Sequence, residues 1–246
     1  MFKKLLACGS TAMSLLLVLV WLFSMWQSHV EDGGIALIAQ GNALVRAGDP
    51  ASLQKALQDY KKAAETFHDM SSSKEALNEG LAYYSMARAY HALKQDEKAI
   101  ESGQRALPLL AASPSRADEG DMYNNLGLYY INTKHPDKAM DAYTHARPLY
   151  ETAGLKDKVK NVVIMEGALR YDEAAAAAHK RDWAKARDAC IQAQQFYHQA
   201  AKPTDEADAY HKLSLIYTAM GDAKRAADAR QQENVLRPGT AANPHK

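Results

Sequence analysis

The chain has 246 residues, 47% of them apolar, with 30 basic against 29 acidic side chains and a formal charge of +1. That balance excludes a disordered chain and gives no electrostatic reason to expect nucleic acid, since without Lys3 and Lys4 the remainder carries about −1. Thirteen glycines and eight prolines among abundant Ala, Leu, Lys, Glu and Gln leave few strand or turn signals, so the composition predicts a nearly all-α protein. Two cysteines, Cys8 and Cys190, provide no disulfide framework from which to read a compartment.

The amino terminus is the first element. After Lys3 and Lys4, no Asp, Glu, Lys or Arg occurs from Leu5 to Val30, and the stretch MSLLLVLVWLFSMW (13–26) is almost wholly apolar. A helix over Leu5 to Val30 is about 39 Å long, enough to cross a ~30 Å hydrocarbon core with tilt, and Trp21 and Trp26 suit its far interface. The lysines before the segment and Glu31 and Asp32 after it put the amino terminus in the cytoplasm. The sequence therefore predicts a transmembrane signal-anchor over 1–30, a single pass through the cytoplasmic (inner) membrane, and a periplasmic or extracytoplasmic remainder. A cleaved signal is the rival reading, but FSMWQSHV offers no A-x-A-like site. The box LLAC (5–8) has the form of a lipidation signal, with its apolar run on the wrong side of the cysteine.

Beyond residue 30 a helix, turn, helix unit recurs. Tyr123, Leu126, Gly127 and Tyr130 are spaced i, i+3, i+4, i+7 on one face, and Ala139, Tyr143 and Ala146 form a stripe on a second helix. A glycine inside a helix costs roughly 1 kcal/mol against alanine, so Gly127 implies a close approach of the partner helix. Tyr83, Met86, Ala87 and Tyr90 lead in the same way to Ala99, Gly103 and Ala106, and Tyr210, Leu213, Ser214 and Tyr217 lead to Ala226. A first unit, Leu37, Gln40, Gly41 and Leu44 followed by Ala56, Tyr60 and Ala63, has about three extra residues around GDPAS. A fourth is clear mainly in its second helix, Trp183, Ala186, Cys190 and Ala193, with Ala174 as its small position. Pro108 and Pro148 each follow the last alanine of a stripe by two residues and are expected to kink the ends of their helices.

These residues resemble the tetratricopeptide repeat (TPR) family, over about residues 33–238. The small positions 41, 87, 127, 174 and 214 are 46, 40, 47 and 40 residues apart, as in the longer-helix arrays that resemble kinesin light chain. The resemblance implies an all-α TPR-like solenoid of about five helix-turn-helix units over 31–238, followed by a flexible tail, 239–246. Arg230 and Glu233, where earlier second helices carry Tyr143 and Ala146, fit the polar last face of a solenoid.

No H-E-x-x-H, C-x-x-C, phosphate-binding glycine loop or nucleophile elbow occurs, so no catalytic residue, cofactor, metal or small-molecule substrate is expected. Cys190 reads as a small core residue and the scattered histidines as solvated. In a TPR solenoid, partners bind the concave face built by the first helix of each unit. The register places there Asn42 and Arg46, then Tyr84, Arg88 and His91, then Asn124, Asn125 and Asn132, then Tyr171, Asp172 and His179, and lastly His211 and Lys212. The clamp by which TPR co-chaperones grip acidic carboxyl termini is absent. Asn125 matches its middle position, but Tyr84 and Arg88 before it and Ala168 and Asp172 after it do not. The function these features imply is a membrane-anchored adaptor or scaffold binding a protein or peptide in envelope assembly, secretion or quality control. The alternatives are an envelope chaperone for unfolded exported clients and a structural subunit of a membrane complex.

Overall fold

The computed structural model describes residues 2–69 and 73–237, with side chains described from Leu17 onward except that of Ser73. The described chain is helical throughout and divides at Pro114 into two compact units. The first holds α1 (Phe2–Ala47), α2 (Pro50–His68), α3 (Ser73–Ala92) and α4 (Asp96–Leu110). The second holds α5 (Arg116–Asn132), α6 (Pro136–Thr152), α7 (Lys156–His179), α8 (Trp183–Gln199), α9 (Pro203–Ala219) and α10 (Ala223–Leu236). Successive helices pair in the order the sequence predicts, making five helix-turn-helix pairs among the described residues. The expected tail, 239–246, lies outside them.

Local chemistry sets the turns. Pro50, Pro136 and Pro203 open their helices, where a missing N–H costs nothing. The Asp49, Asp182 and Asp222 carboxylates accept from the backbone N–H three residues on. Several helices close on a left-handed residue: Lys94, Lys134, Arg181 and Gly221 within pairs, Gly154 and Ala201 between them. The next N–H then reaches back five residues, as from His135 to Tyr130 and from Asp182 to Ala177. α4 and α6 run past Pro108 and Pro148 to Leu110 and Thr152.

Glycines on the first helix seat large side chains of the second in the first four pairs. A Cβ on Gly127 would lie 2.6 Å from Cε1 and Cζ of Tyr143, and one on Gly41 2.5 Å from Tyr60. The first helix therefore has to be bare where the ring of the second lies flat on it. A second set of seats, seven residues earlier, was not read from the sequence. Gly34 faces Phe67, Gly80 faces Leu109 and Leu110, Gly120 faces Tyr150 and Gly167 faces Tyr197. Phe67, Leu110 and Tyr150 are at most 1% exposed, and each buried side chain of this size contributes roughly 1.5–3 kcal/mol. In the last pair the two ring positions are Arg230 and Arg237. Arg230 donates to Thr218, and Arg237 pairs with Glu233 and Asp208, so α10 is tied to α9 by polar contacts.

The amino-terminal expectation is corrected. Among the described residues, no helix is long and apolar enough to cross a membrane. Within the expected span, side chains are described from Leu17 onward. The other part of the expected span, 1–16, lies outside the residues whose side chains are described. The transmembrane anchor, the single-pass inner-membrane location and the extracytoplasmic placement of the helical units are overturned with it.

Candidate partner-binding face

In the first unit, the expected site residues are largely occupied by the fold. Tyr60 donates its phenol to Asn42 Oδ1 at 2.8 Å, so Asn42 satisfies a ring that is 1% exposed. Burial pushes the Tyr60 phenol up to about 12. His91 pairs with Asp96 at the head of α4. Arg88 lies 5.8 Å from the Tyr84 ring, a contact within one helix face, and Arg46 is exposed in the last turn of α1.

The second unit brings together more of the predicted set. Asn124 and Asn125 are half-buried on α5, with Asn132 exposed at its end. On α7 and α9, Lys212 Nζ stands 3.5 Å from the centroid of the Tyr171 ring. Desolvation lowers the Lys212 pKa, with Cys190 and Asp172 opposing, and no carboxylate among the described residues pairs with it. Asp172 and His179 are exposed. His211 is instead drawn to Glu233 of α10, 3.1 Å away. Cys190 is fully buried, donates to the Ala209 carbonyl at 3.3 Å, and has its thiol pushed up to about 12 by burial.

The expected set omits the apolar members of this face. Beyond Ile35, the exposed large apolar residues among those described are Leu128, Leu215, Met220 and Val235. Leu128 and Leu215 occupy one repeat position, the residue after the small one, and Ala175 holds it between them. Between α7 and α9 a cavity of about 340 Å³ opens, walled by Ala175, Ala178, Trp183, Leu215, Ile216 and Ala219, with His179 and Lys212 also lining it. The signal was present in the register; the expected set favoured polar side chains at these positions.

Buried glutamates form a further undetected series. Glu79, Glu166 and Glu206 each stand one residue before a glycine or alanine seat and reach back to the preceding pair. Glu79 meets His68, Glu166 meets Arg147 at 3.0 Å and Thr144, and Glu206 meets His198 and accepts from Gln194. Glu166 is 1% exposed; desolvation raises its carboxyl pKa, with Arg147 and Thr144 opposing. These residues hold neighbouring pairs in place and present nothing to a partner.

A family model, tetratricopeptide repeat, matches residues 80–152. The crystal structure of the MamA protein superposes with a TM-score of 0.51 at 17% identity, covering 87% of this chain and 97% of that one. The apo form of RapI gives 0.53 at 10% identity, covering 86% and 65%. YrrB, reported as a TPR protein with an unusual peptide-binding site, gives 0.49 at 20% identity, covering 85% and 88%. Identities this low report the fold alone. No curated protein matches the chain. Residues 80–152 therefore match the tetratricopeptide repeat, and the helix pairs before and after them carry small residues in the same register.

Proposed function

We propose that the chain is a protein–protein interaction adaptor that receives a peptide segment of its partner on the first-helix face of the second unit. The observation that carries this reading is the line Leu128, Ala175 and Leu215 at one repeat position, the two leucines exposed and Ala175 half-buried, with a cavity of about 340 Å³ walled by Ala175 and Leu215. Asn124, Asn125, Asp172 and His179 supply polar partners around it, and the desolvated Lys212 supplies a positive charge for an acidic group. The segment that fits has apolar side chains spaced to meet the leucines and a carboxylate to meet Lys212. Such a role is one of binding, without chemistry on the partner.

Photocrosslinking in intact cells tests it. A benzophenone side chain at Leu128 or Leu215 should capture one partner that the same group at exposed Gln195, on α8, does not. Lys212→Glu should reduce that capture with helicity unchanged. Equal capture from Gln195, or capture indifferent to Lys212→Glu, would overturn the assignment to this face.

A further inference from the structure

Two lysines of the second unit that reach across to another helix end on carboxylates. Lys158 of α7 meets Asp121 of α5 at 2.6 Å, and Lys185 of α8 meets Glu173 of α7 at 3.1 Å. Lys212 also crosses, from α9 to α7, but it ends on a ring. Its Nζ stands 3.5 Å from the centroid of Tyr171, whereas the lysines over Tyr90, Tyr130 and Tyr150 stand 5.7, 5.7 and 5.3 Å away. Lys212 is half-buried, and no carboxylate among the described residues pairs with it.

The same side chain lines the cavity of about 340 Å³ between α7 and α9, beside Ala175, Ala178, Leu215 and Ile216. An amine so placed meets three conditions for acting as a nucleophile. It is not tied into an ion pair, it has room beside it for a small reagent, and desolvation disfavours its charged form. Two groups act the other way: the face of Tyr171 favours the ammonium, and so does the charge of Asp172.

We propose that Lys212 is a modification site, acylated on Nζ by a small acyl phosphate. The dianionic reagent is drawn to the ammonium; a proton leaves Nζ, the freed electron pair forms the C–N bond to the acyl carbon, and the C–O bond to phosphate breaks. The products are an amide on Lys212, hydrogen phosphate and one proton, with nothing oxidised or reduced. A short acyl chain is accommodated by the apolar walls at Ala175, Ala178 and Leu215. The amide carries no charge, so the face loses the cation it offers to an acidic group. That consequence rests on the partner reading above, whereas the modification itself does not.

The test incubates the full chain with acetyl phosphate and follows acetylation of each lysine over time by peptide mass spectrometry. Lys212 should react several-fold faster than exposed Lys160, Lys180 and Lys224 in the same sample. Tyr171→Leu should raise the rate at Lys212 about two- to fivefold, because it removes a contact that favours the ammonium. Asp172→Asn, at an exposed position, should raise it for the same reason, and Tyr171→Phe, which keeps the ring, should leave it unchanged. A rate at Lys212 no greater than at the exposed lysines, or one that neither Tyr171→Leu nor Asp172→Asn raises, would overturn the proposal. Lys212→Gln, neutral like the acylated form, should lower photocrosslinking capture from Leu215, and Lys212→Arg should retain it; equal capture with Lys212→Gln would overturn the regulatory consequence. Absence of capture in the natural chain would refute the partner reading alone, since the acetylation rates are read without a partner.

Discussion

Gly127→Ala sets two effects of known size against each other. An alanine in a helix interior is worth roughly 1 kcal/mol over glycine, so propensity alone makes the variant more stable. Packing opposes this, because the new Cβ would lie 2.6 Å from two ring carbons of Tyr143 and 2.9 Å from a third. Tyr143 is 1% exposed and shares its cluster with Ala139, Ala146 and Tyr150, so the ring has no open space to move into. Overpacking of this kind costs typically 1–3 kcal/mol, and the net expectation is a loss of up to about 2 kcal/mol. Gly33→Ala is the internal control, since a Cβ there meets nothing within 4 Å and the full propensity gain of roughly 1 kcal/mol should appear. Urea unfolding followed by circular dichroism reads both, each 1 kcal/mol moving the midpoint by roughly 0.3–1 M. Tyr143→Leu should remove the penalty, so that Gly127→Ala stabilises in its background. A Gly127→Ala protein as much stabilised as Gly33→Ala would refute the claim that this glycine exists to seat a ring.

Asn42→Ala should lower stability by roughly 1 kcal/mol, because it removes the acceptor of the buried Tyr60 phenol and leaves Ser85 as its remaining side-chain partner; thermal unfolding detects this, and an unchanged melting curve would return Asn42 to the surface set. Glu166→Gln probes linkage. Burial raises the Glu166 carboxyl pKa above its ordinary 4.5, so its contribution to stability is full below that value and is lost as pH rises through the raised pKa. The stability of Glu166→Gln relative to the natural chain should accordingly rise with pH above the ordinary value and then level off; a difference constant between about pH 4 and pH 8 would contradict the burial argument. Ala201→Gly should stabilise by about 1 kcal/mol in the same unfolding assay, since Ala201 is exposed with φ +49° and a left-handed backbone penalises its Cβ.

The pairing of helices was legible in the sequence because Gly41, Gly127 and Tyr143 obey a spacing that only a close helix contact requires. The second seat at Gly120 and Tyr150 obeys an equally regular spacing of 30 residues, but it joins helix ends too far apart in sequence for a periodicity argument. The face of a helix is likewise periodic, whereas the partner of one side chain is not. Asn42, His91 and His211 sit at face positions and are claimed by Tyr60, Asp96 and Glu233, none of which the register indicates. The apolar run at the amino terminus is plain in the sequence, whereas no helix among the described residues is long and apolar enough to cross a membrane.

The constancy of the seats has a consequence for how such a chain can change length. From first-helix glycine to the second-helix side chain seated on it the count is 30 residues, Gly80 to Leu110, Gly120 to Tyr150 and Gly167 to Tyr197, although the small positions are 40 or 47 apart. Gly120 lies four residues into α5 and Gly167 eleven residues into α7, so the seven additional residues of the fourth pair extend the leading end of its first helix. Lengthening has been absorbed at the junction between modules, where no ring has to find its glycine. Inserted residues there leave every seat in register, whereas one residue added inside α6 between Ala139 and Tyr143 turns the ring about 100° away from Gly127.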